Sequence, residues 1–143
     1  MKKISVVFWS QSGNTKDMAE AIGEGIQRGG AQAEVMDVSV ASMEDLKQQD
    51  IIAIGCPAMG AEVLEESEME PFISEFERFI SGKKLALFGS YSWGDGQWMR
   101  DWVERMSAGG AVIVNEEGTI AQDTPDAATL EICRQLGERL AGV

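Results

Sequence analysis

The stretch ISVVFWSQSGNT, residues 4–15, contains the clearest structural signal in the chain, because an apolar, β-branched run passes directly into a loop of hydroxyl and amide side chains. Ile4–Trp9 has the length and composition of a strand that is buried on both faces. Ser10–Thr15 then opens a helical pattern, in which apolar side chains recur every four residues from Met18 to Ile26 and stop before Gly29. A buried strand followed at once by a helix predicts a βα unit of a parallel sheet.

The same alternation of a short apolar run and a helical pattern continues along the chain. Strands are predicted at Ile4–Trp9, Ala33–Val38, Ile51–Gly55, Leu85–Gly89 and Ala111–Val114, and helices at Asn14–Gly29, Ser42–Gln49, Glu70–Ile80 and Gln97–Ala108. A last helix is expected to have Thr124 as its N-cap, Pro125 at its first position and Asp126 in its first turn. No linker or internal repeat interrupts the alternation. It predicts an α/β fold, with one domain over residues 1–143 and helices on both faces of a five-stranded parallel sheet.

The composition narrows the chemistry that the chain can perform. Its 24 acidic and 12 basic residues give a formal charge of −12, which argues against nucleic acid and anionic membrane surfaces as partners. The sequence contains no histidine, which excludes mechanisms with a histidine base, acid or metal ligand. Cys56 and Cys133 lack metal-site spacing and are expected to be buried, reduced thiols. No apolar run reaches the ~18 residues of a membrane span, and the run after Lys3 is too short for a secretion signal, so we expect a cytoplasmic protein.

Three polar loops follow predicted strands, where open α/β sheets bind their ligands. Ser10–Thr15 combines hydroxyls, side-chain amides and the free N–H groups of a helix N-terminus, without Lys or Arg. This combination favours a phosphate group bound by neutral donors. A polar turn that only caps the helix would have the same composition.

The other two loops carry side chains suited to a flat ring. Met59 offers a polarizable sulfur, and Glu62 can accept a hydrogen bond from a ring N–H, although Met59 could equally fill the core. In Gly89–Gly96, Tyr91 and Trp93 stand among small residues that give an aromatic ring little to pack against. A surface tryptophan lying on neighbouring helices is the alternative. Together the three loops predict a site for a flat heterocycle on a phosphorylated chain.

The segments SQSGNT at 10–15, PAMGAE at 57–62 and GSYSWGDG at 89–96 resemble, in this order and spacing, those of the short-chain flavodoxins. These are FMN-carrying electron-transfer proteins of anaerobic bacteria, and the resemblance covers essentially the whole chain. It implies a flavodoxin-like three-layer sandwich with strand order 2-1-3-4-5 and non-covalently bound FMN. It also implies a low-potential carrier of single electrons, which cycles mainly between semiquinone and hydroquinone and turns over no substrate of its own.

The resemblance implies roles for individual residues. The expected phosphate ligands are the side chains of Ser10, Ser12, Asn14, Thr15 and Ser90 and the backbone N–H groups of Gln11 and Gly13. Trp93 and Met59 are implied to cover the outer and inner faces of the isoalloxazine, and Glu62 to accept from flavin N3–H. Gly60 matches the peptide that reorients on reduction, which suits glycine because both orientations are accessible to it. The expected cofactor-binding set is completed by Pro57, Ala58, Tyr91, Ser92 and Gly94. Ser92 and Ala61 depart from residues common in the family, which leaves their flavin contacts open.

A run of acidic residues suggests how the protein meets its partners. Seven glutamates and no Lys or Arg lie between Glu62 and Glu77. The run either solvates a helical face or forms a docking face for basic patches on redox partner proteins. We expect a monomer that serves several partners. The alternative is a flavodoxin-like activator or reductase component dedicated to a single enzyme partner. A signalling receiver domain would need acidic side chains where Trp9-Ser10 and Cys56-Pro57 stand.

Overall fold

The structure, a computed structural model, describes residues 2–143, in which strands and helices alternate. The elements are β1 (Lys3–Phe8), α1 (Asn14–Arg28), β2 (Gln32–Asp37), α2 (Met43–Lys47), β3 (Ile51–Gly55), α3 (Met69–Phe76), β4 (Lys84–Tyr91), α4 (Gln97–Ala108), β5 (Val112–Ile113), β6 (Thr119–Gln122) and α5 (Ala127–Gly142). This alternation confirms the predicted α/β fold. None of the helices in the described part of the chain has both the length and the apolar composition that crossing a membrane requires.

The sheet has the expected strand order but a different edge. The order is β2-β1-β3-β4-β5 with parallel pairing throughout, which confirms the order 2-1-3-4-5. The strand predicted at Ala111–Val114 is present as β5, which pairs with the start of β4, but the predicted count of five strands is wrong, because a sixth strand, β6, pairs with the end of β4. At the break, the Asn115 side chain accepts from the N–H of Leu87 at 3.2 Å and donates to its carbonyl at 2.8 Å. Between the segments of β4 that pair with β5 and with β6, the Asn115 amide therefore takes the place of a neighbouring strand.

Each face of the sheet carries its own apolar core, because successive side chains of a strand point to opposite sides. Ile54 and Leu87 pack with the apolar faces of α3 and α4, whereas Val6 on the other face packs with α1 and α5. Cys56 lies in the first core and Cys133 in the second. Both are free thiols, and burial raises the pKa of each to about 12, which confirms that they are buried and unpaired.

Helices α1 and α5 meet through glycines at backbone contact distance. A Cβ atom at Gly25 would lie 1.8 Å from the carbonyl oxygen of Arg134, and one at Gly137 would lie 2.1 Å from that of Ile22. No side chain larger than hydrogen fits at either position. The approach fixes α1, and with it the loop that precedes α1, against the rest of the sandwich.

Two helix boundaries differ from the sequence prediction. The N-cap of α5 is Asp126, whose carboxylate accepts the N–H of Thr129 at 2.8 Å. The prediction of Thr124 as cap and Pro125 as first helical residue is wrong, since a charged acceptor at the positive end of the helix makes the stronger cap. The third predicted helix ends at Phe76 rather than at position 80, and a 3-10 turn, Glu77–Phe79, continues it.

Candidate functional site

The three predicted loops meet in one cleft at the carboxyl ends of β1, β3 and β4. The cleft is lined by residues from all three: Ser10, Gln11, Ser12, Asn14, Thr15, Pro57, Ala58, Met59, Ser90, Tyr91 and Ser92. The loop after β3 is joined to the end of β4 by a hydrogen bond from the N–H of Ala58 to the carbonyl of Ser90, at 3.0 Å. Parallel pairing of neighbouring strands thus brings together segments that are up to 80 residues apart in sequence.

A larger cavity, of about 650 Å³, lies at the opposite edge of the sheet. Lys2, Lys3 and Lys84 line it together with Asp45 and Asp50. Charged side chains of both signs lie there, and none of the three loops reaches it. The smaller cleft is therefore the candidate site.

The loop between β1 and α1 is organised by its own hydroxyl groups. The Ser10 hydroxyl accepts from the N–H of Gly13 at 3.1 Å and of Lys16 at 3.3 Å, and the Ser12 hydroxyl accepts from the N–H of Asn14 at 3.4 Å. Gly13 has φ +97°, a left-handed conformation that favours glycine.

The same loop keeps backbone donors free for an anion. Within residues 2–143, the N–H groups of Gln11, Ser12 and Thr15 have no acceptor. They lie at the N-terminus of α1, where the helix dipole is positive. Free N–H groups, hydroxyls and a close-approach glycine fit a phosphate group without any cation.

Thr15 and Ser90 form a buried hydroxyl pair beneath the cleft. Their Oγ1 and Oγ atoms are 3.0 Å apart, and Thr15 Oγ1 also accepts the N–H of Ser90 at 3.3 Å. Both residues are at least 95% buried. The pair joins the start of α1 to the end of β4, so two predicted phosphate ligands are adjacent and mutually positioned.

The loop after β3 contains a tight turn at its exposed tip. Met59 and Val63 exchange two backbone hydrogen bonds of 2.9 Å, which close the turn around Gly60 and Glu62. Gly60 has φ +49°, and no atom lies within 4 Å of where its Cβ would be. Gly60 therefore stands at an open, exposed tip of the loop.

The two aromatic residues of the loop after β4 differ in their surroundings. Trp93 is 64% exposed, as expected for a ring without packing partners. The same expectation is wrong for Tyr91, whose ring lies 5.6 Å from that of Trp98 and packs on the core. Trp98 was not singled out by sequence, although it anchors the site, since its Nε1 donates to the carbonyl of Cys56 at 3.1 Å.

The acidic run is not a uniform charged face. Glu65 is buried and its carboxylate accepts the N–H groups that open α3, from Ser67, Glu68 and Met69. Burial alone would raise the pKa of Glu65, but these hydrogen bonds and one from the Ser67 hydroxyl outweigh burial and lower it. Glu65 is therefore a structural carboxylate.

A cation from α4 neutralises two further members of the run. Arg105 contacts Glu70 and Glu77, with nitrogen–oxygen distances of 2.8–3.0 Å to each carboxylate. Its hydrogen bonds lower the pKa of Glu70. Sequence reasoning missed Arg105 because it lies 28 residues beyond the run. Three exposed glutamates without an ion pair in the described chain remain: Glu66, Glu68 and Glu75.

Glu62 also has a partner that the sequence did not reveal. Its Oε1 accepts the backbone N–H of Gln97, the first residue of α4, at 3.1 Å. The available signal was Gly96, because a helix that begins after glycine lacks a side-chain cap of its own.

Comparison with known proteins identifies what the chain is similar to. The sequence model described as Flavodoxin matches residues 6–135. The flavodoxin of Clostridium beijerinckii is 49% identical over 140 residues, which cover 98% of this chain and 100% of that protein.

Two solved structures agree with that similarity. The two-electron reduced flavodoxin of Megasphaera elsdenii, solved in solution, aligns with a TM-score of 0.86 and 39% identity, covering 98% of this chain and 99% of that one. A flavodoxin from the domain Archaea aligns with a TM-score of 0.89 and 31% identity, covering 98% and 96%.

Proposed function

Because the chain belongs to the flavodoxin family, whose members bind FMN and transfer electrons, we propose that the cleft of the three loops is its FMN site. The protein is an FMN-binding electron carrier and not an enzyme with substrate turnover; a role dedicated to one enzyme is not favoured. One observation supports this location above the others: the free N–H groups of residues 11, 12 and 15 point to a phosphate beside the Met59 and Trp93 loops.

The proposed roles are those that the family resemblance implies for these positions. Residues 10–15 and Ser90 would hold the phosphate, while Met59 and Trp93 would enclose the ring system and exclude water from its faces. Glu62 would accept a hydrogen bond from flavin N3–H, and the Gly60 carbonyl would accept one from the flavin nitrogen that is protonated on reduction. FMN itself supplies the redox chemistry. Residues 1–143 act as one FMN-binding domain.

The charge around the cleft supports a low reduction potential and transfer of single electrons. Residues 10–15, 57–62 and 89–96 contain no Lys or Arg, so no cation in these loops offsets the phosphate charge. Glu62 adds negative charge, whereas the carboxylate of Asp95 is paired with Arg100 at 2.9 Å. Adding an electron to a flavin in such surroundings is electrostatically costly, which lowers the potential of the second electron.

A charge-insertion experiment tests the site and the potential together. Reconstituted protein should bind one FMN per chain, and Gln11→Lys should raise the lower of the two one-electron potentials. A full charge roughly 10 Å away corresponds to about 20–70 mV at effective dielectric constants between ~80 and ~20. Gln48→Lys adds the same charge at the opposite edge, where Gln48 lines the larger cavity, and serves as the control. Equal shifts in both variants, or no FMN binding, would contradict the proposed site.

The protein transfers electrons to redox partner proteins, and we propose that the exposed glutamates meet basic patches on them. Glu66 and Glu68 are free of ion pairs and lie in the chain segment directly after the Glu62 turn. Electron transfer to cytochrome c, a basic acceptor, should slow as ionic strength rises and in Glu66→Gln/Glu68→Gln. Glu20→Gln, an exposed acid on α1, is the control. Electron-transfer rates that do not change with ionic strength would rule out this docking role.

We also propose that the protein is a cytoplasmic monomer. Its two cysteines are buried and unpaired, which fits a reducing compartment. Sedimentation equilibrium should give the mass of one chain, 15.5 kDa, and a larger mass would contradict the monomer.

A further inference from the structure

Helix α4 begins without a side-chain cap from its own segment. Its N-cap is Gly96, which has φ +93° and no side chain to offer. The N–H groups of a first helical turn need acceptors from elsewhere. Glu62, which lies 35 residues earlier, supplies one by accepting the N–H of Gln97 at 3.1 Å.

The Glu62 carboxyl group is held on a second side by the loop that carries Trp93. A Cβ atom at Gly94 would lie 2.6 Å from the carboxyl carbon of Glu62, so the carboxyl group packs directly on the backbone there. Glu62 itself has φ +55°, an unfavourable conformation for a residue with a side chain. A strained backbone that is retained at a contact of this kind indicates that the surrounding structure enforces it.

We propose that Glu62 ties the loop after β3 to the loop after β4, and that the backbone N–H of Gln97 is the positioning group that aims its carboxylate. The flavin part of this inference rests on the proposed function. One carboxylate oxygen, Oε1, is bonded to α4, which leaves Oε2 to accept from flavin N3–H. A carboxylate accepts this N–H more strongly than the amide of a glutamine would.

The tie has a consequence for Trp93, which lies in the same loop as Gly94. If Glu62 holds this loop in place, the Trp93 indole stacks well on the flavin only when the contact between Glu62 and α4 is intact. Trp93→Ala should therefore reduce FMN affinity by a smaller factor in the Glu62→Gln background than in the wild-type chain. Independent contributions from the two residues would give equal factors.

The direct test measures hydrogen exchange at the Gln97 amide by NMR in the full-length, FMN-loaded chain. Exchange should be about tenfold faster in Glu62→Gln than in the wild type, the ratio that corresponds to ~1.4 kcal/mol for a charge-assisted hydrogen bond. Equal exchange rates in the two chains would overturn the proposal.

Two controls separate the tie from general damage. Gln97→Ala keeps the backbone N–H, so the amide at position 97 should stay protected from exchange, whereas Glu66→Gln removes an exposed carboxylate elsewhere and should leave the exchange rate unchanged. If Glu62→Gln fails to fold, Glu62→Asp, whose side chain is shorter, takes its place and should also speed exchange at Gln97.

The same exchange measurement in the FMN-free full chain distinguishes the two proposals. If the chain cannot bind FMN but Glu62→Gln still speeds exchange at Gln97, the FMN site is refuted and the tie is supported. If FMN binds normally but exchange at Gln97 does not depend on Glu62, the tie is refuted and the site is supported.

Discussion

Removal of the Trp93 indole should weaken FMN binding about 40- to 230-fold. The side chain is 64% exposed. An aromatic side chain of its size offers roughly 220 Å² in full, so a stacked ring system would cover about 70 Å², half of what is exposed. At ~25 cal/mol per Å², this burial contributes about 1.8 kcal/mol, and stacking geometry adds about 0.5–1.5 kcal/mol. The sum of about 2.3–3.3 kcal/mol gives the expected factor.

Titration of FMN into the cofactor-free protein, followed by quenching of flavin fluorescence, measures this factor. Trp93→Phe keeps a stacking ring and should recover most of the affinity. Val40→Ala truncates another exposed side chain, 70% accessible and on the segment after β2, and should bind FMN like the wild type. The melting temperature of cofactor-free Trp93→Ala should equal that of the wild type. A Trp93→Ala affinity within about twofold of the wild type would show that the indole does not stack on the flavin.

Three further substitutions examine the structure that supports the site. Glu65→Gln should lose about 2 kcal/mol of unfolding free energy near neutral pH, because its carboxylate accepts three backbone N–H groups. The folded-state pKa of Glu65 is lowered, so its stabilisation is complete above the unfolded pKa and is lost as the pH falls through the folded one; denaturant titrations at several pH values should show the two proteins converging in acid. Gly137→Ala should lower the free energy of unfolding by about 1–3 kcal/mol, since its Cβ would lie 2.1 Å from the Ile22 carbonyl, and an unchanged thermal midpoint would contradict that contact. Thr15→Val should weaken FMN binding about tenfold by leaving the Ser90 hydroxyl unpartnered, and Thr15→Ser should restore it; equal affinities for the two variants would refute the role of the pair.

The central strands could be placed from sequence because burial on both faces leaves a simple pattern. Ile51–Gly55 was predicted with the bounds of β3, and the prediction for β1 is displaced by one residue. Apart from Ser5, these two runs contain only apolar residues and glycine, so no competing pattern obscures them. Strand order came from the family resemblance, because periodicity alone carries no information on which strands are neighbours.

The edge of the sheet could not be placed because its pairing does not depend on apolar strands alone. β6, Thr119–Gln122, has one exposed face and only four residues, too few for a period-two pattern to stand out. Its position depends on the Asn115 amide, which pairs with the backbone of β4. A side chain that replaces strand pairing leaves no periodic signal in the sequence.

At the candidate site, features set by local sequence could be predicted, whereas contacts between residues distant in sequence could not. Its three loops were found because each follows a strand directly, so position in the sequence is enough to place them at one edge. The partners of Glu62, Glu70 and Glu77 were missed, because Gln97 and Arg105 reach them from another helix. Acidic residues that looked equivalent in sequence therefore divide into structural, paired and free ones.

Parallel topology also explains how one molecule separates its charges. Lys2-Lys3 and Lys83-Lys84 each stand at the start of a strand. Because every strand runs in the same direction, these lysine pairs lie together at one edge, opposite the three loops. The loops at the other edge contain no Lys or Arg. The edge that carries the three loops thus lacks the lysines of the opposite edge, and the order of charged residues relative to the strands sets the field that a transferred electron meets.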